Sequence, residues 1–441
     1  MQLLAQEELS LAGAIQLGLK NNYDINISRA AVEVASNQNN LGEAGRWPSL
    51  QLGLGQNNNA NDQIQTASPF QPQGIIISSN LSPSVSLNWM LFEGFKADIS
   101  KKRYDGLQLE SEGNASIIVS NTIQAIVFAY YLVSLEAERL EVLQKSLWLS
   151  RDRYNYVRLK KEYGAAITTD LLLEEGNYLT DSVNFINQEL AFLQAIRTLN
   201  TLMAVEDLNK RYRMTDRIQV PVENYDLKGL EEKMLSNNAD LRTKYISQSV
   251  VKYDAQLARS ELYPKISLGG NVSGSWGRVD QSNALFFDQT LGELRSLPVE
   301  NQILNTSNAN YALGLTLTYN LFNGHRISTA IKNANLREDI SNMEIDKMTI
   351  ELRRDLYTNF DNFVFRKRIY DINKIKLETA ELNLNISEDK FKLGAINSID
   401  FRVVQLNYLN AAIQELNSRY SLLESDVALM RLTGTILEEY Q

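Results

Sequence analysis

Four stretches of the chain alternate apolar and polar positions with a period of two. Leu50, Leu52 and Leu54 alternate with Gln51, Gly53 and Gly55, and Val85, Leu87, Trp89 and Leu91 alternate with Ser86, Asn88 and Met90. Ile266, Leu268 and Val272 share a face opposite Ser267, Gly269, Asn271 and Ser273, and Tyr311 to Leu321 alternate with small or polar residues from Ala312 to Asn320. Successive side chains of a strand point to opposite faces, so this pattern predicts strands with one apolar and one polar surface, at 49–56, 85–92, 265–276 and 311–322. In a soluble sandwich the apolar faces would pack on each other. In a membrane barrel they would face lipid. The segments between the paired strands, 57–84 and 277–310, read as long polar loops.

The remaining periodicity is helical. From Phe95 to Tyr163 there is no proline, and Gly106 and Gly113 are the only glycines; from His325 to Leu393 there is neither. Each run holds about 69 residues, roughly 100 Å of helix at ~1.5 Å per residue. Ile123, Ile126, Tyr130, Val133, Ala137 and Leu140 step by 3 and 4, the spacing of a coiled-coil seam, and Leu356, Phe360, Phe363 and Tyr370 repeat most of it. Shorter helices are predicted at 23–46, 169–203 and 399–433. The long helices lack an evident internal partner for a broad apolar face, so packing against further copies of the chain is expected. All seven prolines avoid the predicted helices. Pro48 and Pro264 stand at helix-to-strand junctions, Pro69, Pro72, Pro83 and Pro298 in or beside the loops, and Pro221 in a linker.

These elements occur twice. Leu19-Lys20-Asn21-Asn22-Tyr23-Asp24-Ile25 returns 216 residues later as Leu235-Ser236-Asn237-Asn238-Ala239-Asp240-Leu241, and Trp47-Pro48-Ser49-Leu50 as Tyr263-Pro264-Lys265-Ile266. Leu91-Phe92-Glu93-Gly94 returns 230 residues later as Leu321-Phe322-Asn323-Gly324, and Gly164-Ala165 with Asp170 returns as Gly394-Ala395 with Asp400. The chain therefore reads as a duplicated unit, 1–225 and 226–441. Each half runs helix, helix, strand pair, long helix (95–163 or 325–393), turn (164–168 or 394–398) and helix (169–203 or 399–433). One protomer offers four strands, too few to enclose a channel. Three copies offer twelve, enough for a closed barrel without free edges.

Composition narrows the function. The formal charge is −9 over 441 residues, without a basic run, which argues against nucleic acid. Cysteine is absent, so disulfides, thiolate metal sites and thiol nucleophiles are excluded, and the single histidine, His325, leaves no room for histidine-based acid–base or metal chemistry. Catalytic constellations, phosphate-binding glycine loops and metal-binding loops are missing, so no cofactor and no enzymatic activity is expected. No apolar run approaches the ~18 residues of a membrane-spanning helix, which says nothing against a membrane β-barrel. Met1 to Gln6 could end a cleaved signal segment. His325 reads as a surface histidine at a strand-to-helix boundary, and the many Asp and Glu residues of the long helices as solvated faces.

In this order, twice over, the motifs resemble those of the outer membrane efflux protein family, the TolC-like channels. The resemblance spans Leu9 to about Gly434. It rests on Leu9-Ser10-Leu11-Ala12-Gly13-Ala14-Ile15 with Asn21-Asn22, the proline-initiated strands, the two Leu-Phe-Glu/Asn-Gly segments and the two Gly-Ala turns. It implies a mainly α-helical homotrimer, with a 12-stranded β-barrel in the outer membrane of a Gram-negative bacterium and a long coiled-coil α-helical barrel in the periplasm. The duct would work passively, with a periplasmic adaptor protein and an inner-membrane pump of the RND or ABC type. Alternatives are the outer membrane component of a type I protein secretion system and, in another class, a soluble coiled-coil scaffold. Leu9–Asn22 and Asp226–Asn238 would be equatorial helices, and loops 57–84 and 277–310 would face outside the cell.

The resemblance also assigns roles to residues. Gly164, Ala165, Thr168, Asp170, Gly394, Ala395 and Ser398 would form the periplasmic tip that meets the adaptor. Glycine at 164 and 394 suits a left-handed helix cap, and Thr168 and Ser398 read as N-caps ahead of acids that favour a helix N-terminus. Three copies of Asp400, with Asp170 as a second candidate, would make an acidic constriction. A second family acid falls on Val403, and an arginine that holds the tip shut falls on Ile396, so the closing chemistry is expected to differ. Trp47, Trp89, Trp276 and Tyr311 would form girdles at the interfaces of outer membrane lipid. Many relatives carry an N-terminal lipidated cysteine, and none is present in this sequence.

Overall fold

The computed structural model describes residues 7–64, 72–219 and 225–440. Met1 to Gln6, Pro69 and Pro221 lie outside them. In chain order the elements are β1 (Glu7–Leu9), α1 (Leu11–Asn21), α2 (Tyr23–Gln38), β2 (Ser49–Gln63), β3 (Gln73–Glu93), α3 (Lys96–Glu162), α4 (Thr168–Leu202) and β4 (Tyr212–Met214). They continue with α5 (Leu227–Asn237), α6 (Ala239–Ser260), β5 (Lys265–Asp288), β6 (Glu293–Ser296), β7 (Ile303–Thr318), α7 (Arg326–Lys392), α8 (Ser398–Leu432) and α9 (Ile436–Tyr440). Helices α3 and α7 have 67 residues each, and α4 and α8 have 35 each. Two compact units result: 1–35, 108–247 and 341–441 form the helical unit, and 36–107 with 248–340 form the sheet unit. Each unit draws on both halves of the sequence.

In the sheet unit, β2, β3, β5 and β7 form one antiparallel sheet in that order, with β6 added to the far end of β5. The register puts the apolar positions together. Leu52 stands opposite Val85, Val85 opposite Val272, and Val272 opposite Tyr311, while Gly53, Ser84, Ser273 and Asn310 line up on the other face. The apolar face is open: Leu52 is 80% and Leu313 76% exposed. The strands outrun the predicted ones. Asn57, Asn58 and Asn59, expected in a loop, pair with Asn80, Ser79 and Ser78 inside the ladder. Their polar side chains hid the strand because both faces are polar there, so no alternation marks them. At its other end β7 stops at Thr318, short of the predicted 322. Pro83 lies inside β3 opposite Leu54, and the ladder to β5 is interrupted between Leu81 and Ser84, where proline has no N–H to donate.

Both long helices leave the strands through two successive left-handed residues, Gly94 (φ 58°) with Phe95 (φ 64°) and Gly324 (φ 68°) with His325 (φ 63°). A non-glycine residue there costs about 1–2 kcal/mol. Ring contacts accompany it, Phe95 edge-on to Phe92 (5.3 Å) and His325 edge-on to Phe322 (5.5 Å).

The helical unit holds three cores. In the first, Ile123, Ile126, Tyr130 and Val133 of α3 bury against Ile15 of α1, Leu199 of α4 and Val427 of α8. This corrects the expectation that further copies bury the seam. It also accounts for an uncharged stretch, Asn114 to Leu135, that is apolar enough by length and composition to cross a membrane, contrary to the sequence reading. The second core joins Leu230 and Met234 of α5 to Leu352, Leu356 and Phe363 of α7 and Leu422 of α8. The third, towards the hairpin turns, joins Leu149, Leu384, Phe401 and Tyr408. The paired Asn-Asn motifs now have a physical role. Buried Asn22 ends α1, accepts at Oδ1 from the Asp24 N–H (2.9 Å), and donates through Nδ2 to the terminal carbonyl of α4 at Leu202 (2.9 Å). Asn238 does the same for Leu241 and for Leu432 at the end of α8, both at 2.9 Å. Each asparagine thus satisfies groups that helix ends leave unpaired.

Candidate functional site

The two hairpin turns of the helical unit share one construction. Gly164 (φ 73°) and Gly394 (φ 72°) occupy the left-handed position after α3 and α7. The N–H of Gly164 donates to Lys161 O (2.9 Å) and that of Ala165 to Lys160 O (2.7 Å); Gly394 and Ala395 repeat this with Phe391 (3.0 Å) and Lys390 (2.8 Å). These are Schellman closures, in which a left-handed residue lets the next N–H groups satisfy the last helical carbonyls. The starts of the following helices differ from expectation. Thr168 and Ser398 are already helical, and the caps lie one residue earlier, at Ile167 and Asn397. Asn397 Oδ1 accepts from the Asp400 N–H at 2.8 Å, whereas Ile167 offers no side-chain acceptor. Asp170 and Asp400 are exposed in the first turns of α4 and α8, where a carboxylate favours the helix dipole. Tyr163, Ile167, Leu393 and Ile399 leave apolar surface exposed around the turns.

Above the turns lies a buried polar network that reading the charges as solvated faces missed. Arg153 of α3 donates from Nε to Glu174 Oε2 of α4 (2.6 Å), with both side chains essentially inaccessible, and from Nη1 to Gln405 of α8. Gln405 Nε2 donates to Ser146 O (2.9 Å) and Oγ (3.0 Å). Arg402 of α8 grips Asp181 of α4 through both terminal nitrogens at 2.7 and 2.8 Å. Burial pushes the Arg153 guanidinium below its ordinary value, and the Glu174 carboxylate opposes that shift. The network thus ties three helices by charge-assisted bonds in a water-poor setting, beside the stacked Phe391 and Phe401 rings. One signal was available. Arg153 stands between Leu149 and Val157 at steps of four, so it occupies the buried phase of α3.

The four aromatic candidates lie in the sheet unit. Trp47 precedes β2, and Trp89 of β3 donates its Nε1–H to Arg46 O (3.1 Å). Trp89 shares a row with Leu268 and Leu315, Tyr311 a row with Val272 and Val85, and Trp276 a row with Leu81 and Ser307. All three rows are on the apolar face. From the Trp89 row to Trp276 is eight residues of β5, roughly 26 Å at ~3.3 Å per residue.

A sequence profile of the outer membrane efflux protein family matches residues 230–435. Outer membrane efflux protein BepC of Brucella suis biovar 1 (strain 1330) is 19% identical over 435 residues, covering 96% of this chain and 85% of BepC. Nodulation protein T of Rhizobium leguminosarum bv. viciae is 21% identical over 306 residues, 67% of this chain, and the match spans 58% of that protein. Among solved structures, the Campylobacter jejuni CmeC outer membrane channel superposes with a TM-score of 0.74 at 17% identity, over 96% of this chain and 85% of CmeC. Twice-repeated helix and strand order, an open apolar sheet face and paired helical hairpins agree with these matches, and residues 230–435 carry the sequence profile of the outer membrane efflux protein family.

Proposed function

We propose that this protein is the outer membrane exit duct of a tripartite efflux system, closed by three copies. The observation that carries the reading is the sheet. Its apolar face is exposed or half-exposed along all four strands in the protomer, with no second sheet to cover it among the described residues, which removes the basis of the soluble scaffold. Four strands cannot enclose a channel, whereas twelve form a barrel with the polar face inward and the apolar face on lipid. The rows of Trp89 and Trp276 then bracket the hydrocarbon layer, with Trp47 adding to the girdle beside Trp89, while Tyr311, in the Val272 row, stands midway between them. Exposed apolar residues at heptad spacing on α4 (Leu172, Leu179, Val183, Ile186, Leu190) and on α7 (Ile375, Leu382, Ile386) supply seams for neighbouring copies in the periplasmic helical barrel.

Conduction is passive; an inner-membrane pump and a periplasmic adaptor supply energy and substrate. The adaptor meets the turns at Gly164 to Asp170 and Gly394 to Ser398. Three copies of Asp400 make the acidic constriction, and 1–225 and 226–441 are the duplicated units. Light scattering of protein extracted from outer membranes tests the assembly. A detergent-corrected mass of three times 50.0 kDa supports the barrel, and a monomer soluble without detergent sinks it.

A further inference from the structure

The sheet outruns its apolar belt. On β2 the belt ends at Leu54, on β5 at Trp276 and on β7 at Tyr311, yet pairing continues to Gln63↔Gly74 and Asp280↔Ile303. Nine residues of β2, Gly55 to Gln63, and eight of β7, Ile303 to Asn310, therefore lie beyond the belt. In β2 this stretch has Ala60 as its sole apolar side chain, and in β7 Asn305 to Asn310 are Asn, Thr, Ser or Ala. At ~3.3 Å per residue and a tilt near 40° the extension stands roughly 20 Å high.

Both strands are edges of the sheet, and among the described residues no further strand pairs with their outer N–H and C=O groups. Natural edges exposed to water are protected by lysine, proline, bulges or brevity. Here the two stretches are long and regular. They contain no Lys, Arg or Pro, and Asp62 is their one charge. Residues of this chemistry sustain a ladder within the protomer: Ser79 Oγ donates to Asn58 Oδ1 at 2.6 Å, and Ser275 Oγ to Asn80 Oδ1 at 2.8 Å.

We infer that Gly55–Gln63 of one copy pairs with Ile303–Asn310 of the next, so that the duct wall continues beyond the lipid as a closed collar whose seams are largely polar. This rests on the three-copy barrel proposed above. The occupant of each edge is the opposite edge of a second copy. The β7 edge is uncharged and the β2 edge carries Asp62 alone, so no like charges oppose the contact, and it continues the ladder that closes the membrane belt. The exit then lies above the lipid surface.

The cysteine-free chain allows a direct test by disulfide trapping in the full-length protein. Gln51→Cys and Gly53→Cys probe the belt, and Asn57→Cys and Asn59→Cys the collar. Each is combined with cysteine at every even-numbered β7 position from Leu304 to Thr318, all on the same face. In an antiparallel ladder the residue numbers of partners have a constant sum, so the belt pair that bonds fixes which collar pair must bond. The expected result is conversion of the monomer band to trimer for belt and collar pairs of that one sum. Trapping in the belt without trapping in the collar overturns the collar and leaves the barrel standing. Collar cysteines caught by a species that is not a multiple of this chain assign the edge to another partner and also overturn it. Failure in both regions removes the barrel itself.

Discussion

Replacing Glu174 by leucine strips Arg153 of the carboxylate it is hydrogen-bonded to. The pair spans 2.6 Å with side chains 0% and 1% exposed, so no water stands ready to solvate the guanidinium left behind. The remaining contacts, the amide of Gln405 and the Phe401 ring 5.9 Å away, carry no negative charge, and Asp181, which acts on Arg153 only through space, is already paired with Arg402. Breaking a buried ion pair from one side costs about 3–5 kcal/mol. At ~1.36 kcal/mol per decade that is roughly two to three and a half orders of magnitude in the local opening equilibrium. Amide hydrogen exchange on the detergent-purified protein reads this directly, because protection in Ser146 to Val157 and in Glu174 to Asp181 reports opening of these helices rather than of the whole molecule. Arg153→Met with Glu174→Leu removes both charges, and the double variant is expected to exchange more slowly than Glu174→Leu alone, although Gln405 Oε1 then loses a donor at about 1–3 kcal/mol. The reasoning is refuted if Glu174→Leu accelerates exchange less than tenfold, or if the double variant opens as readily as the single one.

Two left-handed glycines separate backbone strain from crowding. A Cβ at Gly164 meets open space, so Gly164→Ala should cost about 1–2 kcal/mol, whereas at Gly434 it would stand 2.4 Å from Asn237 O, adding about 1–3 kcal/mol of overpacking, and denaturant unfolding should rank the variants in that order. Asn397→Ala removes the one side-chain cap between the two hairpin helices and should cost about 1 kcal/mol, while Thr168→Ala at the other turn should cost less, both read by exchange of the first helical turn. Burial holds the Glu415 carboxyl above its ordinary range despite Arg419, so the folded state binds its proton more tightly than the unfolded one and stability falls as pH rises through that interval. Glu415→Gln should therefore be more stable than wild type at pH 7, with the gap closing by about pH 4; a gap that persists at low pH disproves the assignment. Asp400→Asn should lower cation-over-anion permeability, measured as a reversal potential across a salt gradient, and an unchanged potential removes Asp400 from the constriction.

The site was legible only in part, for reasons that differ by residue. Gly164 and Gly394 could be placed because a glycine closing a proline-free helical run has one common use, the left-handed cap. Asn397 could not be told from Ser398 as the cap, because the choice turns on one residue of helical phase. Arg153, Glu174 and Gln405 were invisible as a network because they come from three helices, and their meeting depends on how those helices pack. The loop boundaries failed where both strand faces turn polar, since alternation disappears when both surroundings are wet.

By itself the sequence determined the secondary structure wherever the two sides of an element meet different media, which holds for the apolar strand faces and the 3–4 seam of α3. It also determined the doubled order of elements, because a repeat in sequence repeats the same local preferences. The tertiary structure decided what those faces touch. It buried the α3 seam inside the protomer, left the sheet face bare, carried the strands beyond the apolar belt, and brought Arg153 to Glu174 across 21 residues of chain and to Gln405 across 252. Local periodicity reports that a residue will be covered, but the identity of the cover is a long-range packing outcome that no short window of residues contains.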